Sequence, residues 1–492
     1  MKNSVVIIGA GFAGLSAAAF MAKEGWQVQV VEKNATAGGR ARQLKAEGFT
    51  FDMGPSWYWM PDVFEHFFGQ FGKKVSDYYS LSRLDPSYRV YWEDGYTDLP
   101  ADYQKLKELF ESIEKGGAEK LDAYIKEAAH KYKIGMQELV YKPGQSVLEF
   151  MNWDVVKNVF KLDVFTSVKK HVAKYFTNPK LQQIMEFPVL FLGALPQDTP
   201  ALYSLMNYAD IIGGTWYPKD GMFSIVQAMQ QLCSDQGVEF FFNEEVQEIV
   251  IESGAAKKVV TSTRSFTADA VISGADYHFT ETALLPEQYR SYSDGYWDER
   301  VMAPSCLLYY VGINKKLPNV LHHSLFFDVP FEAHGQEIYT DPKWPAHPLF
   351  YLNVPSKTDE ASAPQGCENL MFLIPVASGL ENDTEEVRDH YFNLVVDRLE
   401  KKMGDTIREN IIYKKSFSLT DFKNDYHSFK GNAYGLANTL KQTAIFKPSC
   451  QSKKVKNLFY TGQLTVPGPG VPPSLISGEV VSRQLIKIFN KR

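Results

Sequence analysis

The chain has 492 residues, enough for about three domains or one large two-lobed fold and for a sizeable core. Charged residues make up 22% and hydrophobic residues 45%, which excludes a disordered chain, while 34 Gly and 25 Pro exclude collagen-like or linker composition. A net charge of −6 leaves no basic footprint for nucleic acid, and four scattered cysteines (Cys233, Cys306, Cys367, Cys450) without a CxxC imply neither a disulfide framework nor a zinc cluster, which suits a reducing cytoplasm.

The first predicted element is an apolar strand, Val5 to Ile8, inside an uncharged run from Asn3 to Ala22 that imitates a secretory signal. The next element decides against that. Gln27 to Glu32 (QVQVVE) reads as a second strand ending in a carboxylate, so cleavage after Ala17-Ala18-Ala19 would remove half of one βαβ unit. Between the strands, Gly9-Ala10-Gly11-Phe12-Ala13-Gly14 is a GxGxxG that opens a helix at about Ala13. Gly9 allows the tight turn, Gly11 lets the backbone approach a pyrophosphate, and Gly14 permits close helix–strand packing. The helix N-terminus adds amide donors and the positive end of its dipole. Glu32 is placed for a ribose hydroxyl pair and would repel a 2′-phosphate, so NADP is disfavoured.

Gly38-Gly39-Arg40-Ala41-Arg42 follows in one short loop and puts two guanidiniums near the diphosphate. FTFDMGPSWYWMP (Phe49 to Pro61) then joins a Gly54-Pro55 turn to a Trp-Tyr-Trp cluster. An NAD dehydrogenase needs neither feature, so FAD is favoured over NAD, although each ring singly also suits core packing. From about Lys73 to Gly213 the spacing of Leu, Lys and Glu is helical. Within that block, Val156 to Phe176 reads as an amphipathic helix with Val159, Phe160, Val164, Val168 and Val172 on one face and Lys157, Lys161, Lys169, Lys170 and Lys174 around the rest. It reads either as a core helix with a solvated side or as a basic helix lying on an anionic membrane.

After Gly221, a helix is expected over Phe223 to Ser234, strands over Val238 to Phe242 and Val246 to Glu252, and a buried strand with a Gly turn over Ala270 to Asp276. The block from about Tyr277 to Lys456 mixes strands and helices without a nucleotide signal. Asn457 to Gly478 is uncharged and long enough to suggest a membrane span, but Pro467, Pro469, Pro472 and Pro473 with Gly462, Gly468 and Gly470 forbid a continuous helix. A structured loop and a closing helix from Leu475 to Phe489 are expected instead, and any membrane contact is expected to be peripheral. Asp198, Asp210 and Asp220 read as turn or capping residues, His322-His323 as a surface pair, and no catalytic base is assigned.

GAGFAG, Glu32, GGRAR, FDMGPS and TGQLTVPGPGVPPSLISG together resemble the bacterial-type phytoene desaturases, FAD-dependent carotenoid desaturases of the flavin amine-oxidase superfamily. The likeness runs nearly end to end through FPVLFLGA (Phe187 to Ala194), GTWYPKDGM (Gly214 to Met222) and APSCLLYYVGI (Ala303 to Ile313), and the PGxGxP loop from Pro467 to Pro472 is its most specific part. Asp220-Gly221 departs from the Gly-Gly that related enzymes carry after the Tyr-Pro dipeptide. The resemblance implies an α/β fold, a Rossmann-like FAD-binding domain of discontinuous segments with a mixed α+β substrate lobe and a helical cap. FAD-binding segments are expected at 1–72, 214–276 and 457–492, a helical cap with a membrane-facing region at 73–213, and the substrate lobe at 277–456.

FAD contacts are implied at Gly9, Gly11, Gly14, Glu32, Gly38, Gly39, Arg40, Arg42, Gly54 and Pro55, at the backbone of Val246 on the adenine side, and at Gly462, Gly470 and Val471. The implied activity introduces conjugated double bonds into an acyclic C40 carotene, phytoene to lycopene first, by hydride transfer to flavin N5. It implies a cytoplasmic enzyme peripherally bound to a membrane, with oxygen or a quinone as electron acceptor. A 3,4-desaturase of hydroxylated acyclic carotenoids or a diapophytoene enzyme would share every motif, and a flavin-dependent polyene isomerase or saturase is the alternative that no net oxidation of the substrate would separate.

Overall fold

The computed structural model describes residues 2–146, 149, 166–439 and 441–490. Its nucleotide unit is a five-stranded parallel sheet in the order Leu458–Tyr460, Ala270–Ser273, Ser4–Ile8, Gln27–Val31, Glu239–Phe241. The strands come from the two ends and the middle of the chain, and three of them, Ser4–Ile8, Ala270–Ser273 and Leu458–Tyr460, are apolar and almost wholly buried, as in a sheet covered on both faces. The first helix, Phe12–Lys23, is buried from Phe12 to Met21 because the closing helix, Val471–Phe489, covers the side that the sheet leaves open. A Cβ at Gly478 of the closing helix would come within 2.5 Å of the carbonyl oxygen of Ala13, so only glycine permits this approach. A small antiparallel sheet, Val246–Glu252, Ala255–Thr261 and Ser265–Thr267, flanks the unit.

A seven-stranded sheet forms the second lobe, in the order Ile411–Phe417, Ser305–Ile313, Glu368–Val376, Phe350–Asn353, His323–Phe326, Tyr88–Trp92, Gly95–Leu99. Neighbours are antiparallel except His323–Phe326 with Tyr88–Trp92. Alternation divides its work. Leu307, Tyr309 and Val311 pack with Phe392, Val395 and Val396 of the helix Glu385–Met403, whereas Cys306, Leu308 and Tyr310 join the core shared with the nucleotide unit.

The 73–213 block is helical over Tyr103–Ile113, Gly117–Ile134 and Pro179–Glu186, but it also contributes the hairpin Tyr88–Leu99 to the large sheet. The first part of the amphipathic reading of Val156 to Phe176 falls outside the described residues, which resume at 166. The described remainder is a short helix, Val168–Val172, with Val168, His171 and Val172 buried and Lys169 paired with Glu332 at 2.8 Å.

Candidate active site

A cleft between the two lobes has about 1680 Å³ of space, its open mouth included. The turn after the first strand forms its floor. Gly9, at φ +93, donates its N–H to the Val31 carbonyl at 2.8 Å and holds the turn against the second strand. Gly11 is the N-cap of the first helix, and a Cβ built on it would meet nothing within 4 Å, so its Cα faces open cleft. A Cβ on Gly14 would sit on the carbonyl oxygen of Gly9, so this glycine serves packing. Glu32 is buried at the end of the second strand. Its carboxylate accepts the N–H of Ala10 at 2.8 Å and both the N–H and the side-chain amide of Asn34, at 2.8 and 2.9 Å. One side chain thereby ties the glycine turn to the loop after the second strand and still lines the cleft.

The Gly38-Gly39 pair closes over this turn. The N–H of Gly38 reaches the Ala10 carbonyl at 2.9 Å, and Gly39 lies against the Cα of Gly11. Arg40 enters the cleft, holding Ser428 Oγ at 3.1 Å, while its buried Nε has no hydrogen-bond partner among the described residues. Burial lowers its pKa, which Asp276 opposes. Arg42 does not line the cleft: its guanidinium is taken by Asp425, the Tyr426 hydroxyl at 3.1 Å and Asn34 at 3.2 Å. Arg40 and Arg42 both lie over the Tyr426 ring, at 5.1 and 5.2 Å.

Gly54 and Pro55 also line the cleft, packed on the Arg40 backbone: a Cβ at Gly54 would come 2.5 Å from the carbonyl oxygen of Arg40. Val246 lines the cleft at the start of its strand, beside Glu244 and Glu245. Gly462, Gly470 and Val471 complete it at the N-terminus of the closing helix, with Gly462 at φ +109 and Gly470 at φ +112. Pro472 and Pro473 carry no N–H, so Gly470 and Val471 are the first-turn donors that remain. Thirteen of the fourteen expected residues therefore meet in one cleft.

Other lining residues carry no motif. Tyr426, His427 and Tyr434 reach the cleft from a segment without a nucleotide signal, and Asp276 reaches it from the end of the expected 214–276 segment. Asp276 is buried and accepts the N–H groups of Phe279 and Phe429, and burial raises its pKa. Tyr426 ends the helix Leu419–Tyr426, the other three stand singly outside helices and strands, and no spacing announces any of them.

An aromatic wall continues from Gly54-Pro55. Trp57 contacts Trp59 and Tyr88 at 5.3 Å and Phe187 at 5.6 Å between ring centroids. Behind it, Asp210 is no turn residue. It lies buried in the helix Leu205–Ile211, accepts the Tyr88 hydroxyl at 2.8 Å and Thr215 at 3.2 Å, and has its pKa pushed up to about 7 by burial. His322 and His323 are also buried, which corrects the surface reading, because the strand they open is covered on both faces. Asp198 and Asp220 do stand in turns, Asp220 in the left-handed region at φ +68, where a glycine would be unstrained.

The family model described as flavin-containing amine oxidoreductase matches residues 12–486. The chain belongs to that family. This family member is 40% identical over 487 residues to a carotenoid 3,4-desaturase of Haloarcula japonica, covering 99% of this chain and 98% of that one. It is 30% identical over 498 residues to a zeta-carotene-forming phytoene desaturase of Myxococcus xanthus, covering 98% and 93%. An oxidoreductase from Methanosarcina mazei shares the fold at TM-score 0.61 and 16% identity, covering 98% of this chain and all of that one.

The cofactor of this FAD-dependent oxidoreductase fits the cleft. The open space over Gly11 admits a pyrophosphate, Arg40 Nε, without a partner among the described residues, offers it a donor, and the N-termini of two helices line the space. Among the described residues no group of three or more His, Cys, Asp or Glu is arranged to hold a metal ion.

Proposed function

We propose that the protein desaturates an acyclic C40 carotene, carrying phytoene stepwise towards lycopene. The observation that supports this most is end-to-end likeness to carotenoid desaturases, at 30% and 40% identity. The aromatic wall beside the FAD cleft supports a rigid apolar substrate rather than an amine, since polyene and ring faces bury each other without unpaired polar groups. Breaking unactivated allylic C–H bonds exceeds side-chain acid–base chemistry, and bound FAD supplies the hydride acceptor. The residues of the chain bind and orient. Arg40 and the helix N-termini hold the diphosphate, Glu32 the ribose, and the rings around Trp57 align the substrate, so that proximity contributes much of the acceleration.

Such a hydrocarbon resides in a bilayer, so we place the working enzyme on a membrane surface, with oxygen or a quinone reoxidising the cofactor. Among the described residues no helix is long and apolar enough to cross a membrane. A second reading, 3,4-desaturation near the end of an already conjugated chain, is favoured by the 40% relative.

One assay separates the two. Protein, quinone and liposome-held phytoene or lycopene are mixed without oxygen or nicotinamide, and the product spectrum is read. Colour from phytoene is the expected result. Untouched phytoene with lycopene converted to a longer chromophore establishes the second reading. If neither carotene changes and the flavin stays oxidised, both readings fail.

A further inference from the structure

The aromatic wall contains a base that nothing above employs. His323 is fully buried, and its ring lies parallel to the Trp57 indole at 4.0 Å between centroids and 8° between planes. Its Nδ1 is 2.7 Å from the Tyr351 hydroxyl, and that hydroxyl donates to Ser56 Oγ at 2.9 Å. A hydroxyl has one proton. With it directed to Ser56, the proton of the His323–Tyr351 bond must reside on Nδ1, which leaves Nε2 with a bare lone pair. Nε2 is buried and has no hydrogen-bond partner among the described residues.

The relay ends beside the cleft: Ser56 follows Pro55, which lines it. The titratable groups beside the ring are His322, at 4.4 Å between centroids, and Tyr351. Burial holds the imidazole neutral by lowering its pKa well below the usual histidine value, so the lone pair is available throughout the physiological range.

Resting on the proposed desaturation, we propose that His323 Nε2 accepts the proton lost from substrate carbon. Converting –CH2–CH2– into –CH=CH– removes two protons and two electrons. One hydrogen leaves with the electron pair of its C–H bond as hydride to the cofactor, leaving an allyl cation. The neighbouring C–H bond then breaks heterolytically. Its electron pair becomes the new π bond, and its proton adds to Nε2 to give an imidazolium. A carbocation is a very strong acid, so a weakly basic imidazole suffices, and the parallel Trp57 face stabilises the cation that forms. The Tyr351–Ser56 chain fixes the tautomer that makes Nε2 the acceptor.

The test uses FAD-loaded protein and carotene in liposomes. His323→Phe keeps a ring on Trp57 without a lone pair; its turnover should fall by about 100-fold, within the usual range for a general base, with FAD content unchanged. His323→Ala should be equally slow and should regain at least tenfold in rate with imidazole but not with pyrrole, a ring of the same size whose nitrogen has no in-plane lone pair. In 15N-histidine-labelled protein, with or without FAD, the signal lost in the His323 variants should report a protonated Nδ1 and an unprotonated Nε2. A His323→Phe variant within tenfold of wild type, rescue by pyrrole as good as by imidazole, or an Nε2–H tautomer would each overturn the proposal. If His323→Phe fails to fold, the Ala rescue and the tautomer decide. Wild-type protein inactive on every carotene would instead overturn the desaturase reading on which this one rests.

Discussion

Gly11 and Gly14 occupy one turn and have separate roles. Because Gly11 faces open cleft, Gly11→Val should fold normally yet lose FAD affinity by about tenfold or more, as its side chain fills the pyrophosphate position. Gly14→Ala drives a Cβ into a backbone oxygen, which no side-chain motion relieves, so its apparent melting temperature should fall with or without FAD, by about 3 kcal/mol in stability. FAD content after gel filtration and thermal melts of the apoprotein check the pair; equal behaviour of the two variants would contradict the division. Lys447 gives a pH test. Its Nζ is buried without a hydrogen-bond partner among the described residues, and burial lowers its pKa to about 7. An unfolded lysine keeps its proton to about pH 10.4, so between these values the unfolded chain holds more protons and stability rises with pH. The penalty is complete below pH 7, up to about 5 kcal/mol, and is gone by about pH 10.4. Lys447→Met should therefore raise the melting temperature most at pH 6 and hardly at all near pH 10. A gain independent of pH would contradict this. The dipeptide His322-His323 shows where residue-level reading stops: polar side chains suggest a surface, and only the sheet on both sides of them says otherwise.

Elements with a period or a punctuation mark were legible. The strand Val246–Glu252 has the bounds expected from its alternation, and the helix Phe223–Asp235 those expected to one residue. The closing helix starts at Val471, four residues before the expected Leu475, because Pro472 and Pro473 were read as breakers. In a first turn a proline loses no intrahelical hydrogen bond and its fixed φ suits the helix. The hairpin Tyr88–Leu99 carried a Glu-Asp-Gly turn between alternating runs, a signal masked by the helical spacing of the block around it. What no local pattern contains is the crossing of the first and closing helices. A Cβ added at Gly478 would come within 2.7 Å of the Ala17 nitrogen, whereas the Ser482 hydroxyl bonds the Gly478 carbonyl of its own helix at 2.8 Å and reaches the Ala17 carbonyl only at 3.3 Å. Gly478→Val should force the two helices apart and lower both stability and FAD retention by several kcal/mol, while Ser482→Ala should cost about 1 kcal/mol or less. Melting curves of the two variants, with and without FAD, decide whether this crossing holds the cleft together.

At the scale of the molecule, the two lobes meet at the cleft, and the proposed function requires substrate to reach that cleft from a bilayer. Lys170 and Lys174 are exposed on the described end of the basic segment, whereas Lys169 is engaged with Glu332. Reversing Lys170 and Lys174 to Glu should reduce co-sedimentation with anionic liposomes at low salt by more than about tenfold, at about 1 kcal/mol per lysine, and leave FAD content unchanged. Undiminished sedimentation would move the docking surface elsewhere. The order of the parallel sheet carries a consequence in time. Leu458–Tyr460 borders Ala270–Ser273, and the closing helix covers the first, although about 450 residues of chain separate Ile8 from Leu458. During synthesis at about 5–20 residues per second, the glycine turn therefore waits tens of seconds for the segment that roofs it. Flavin capture is thus a terminal event of biogenesis, and a ribosome-stalled chain lacking the closing helix should be colourless however well its other lobe has folded.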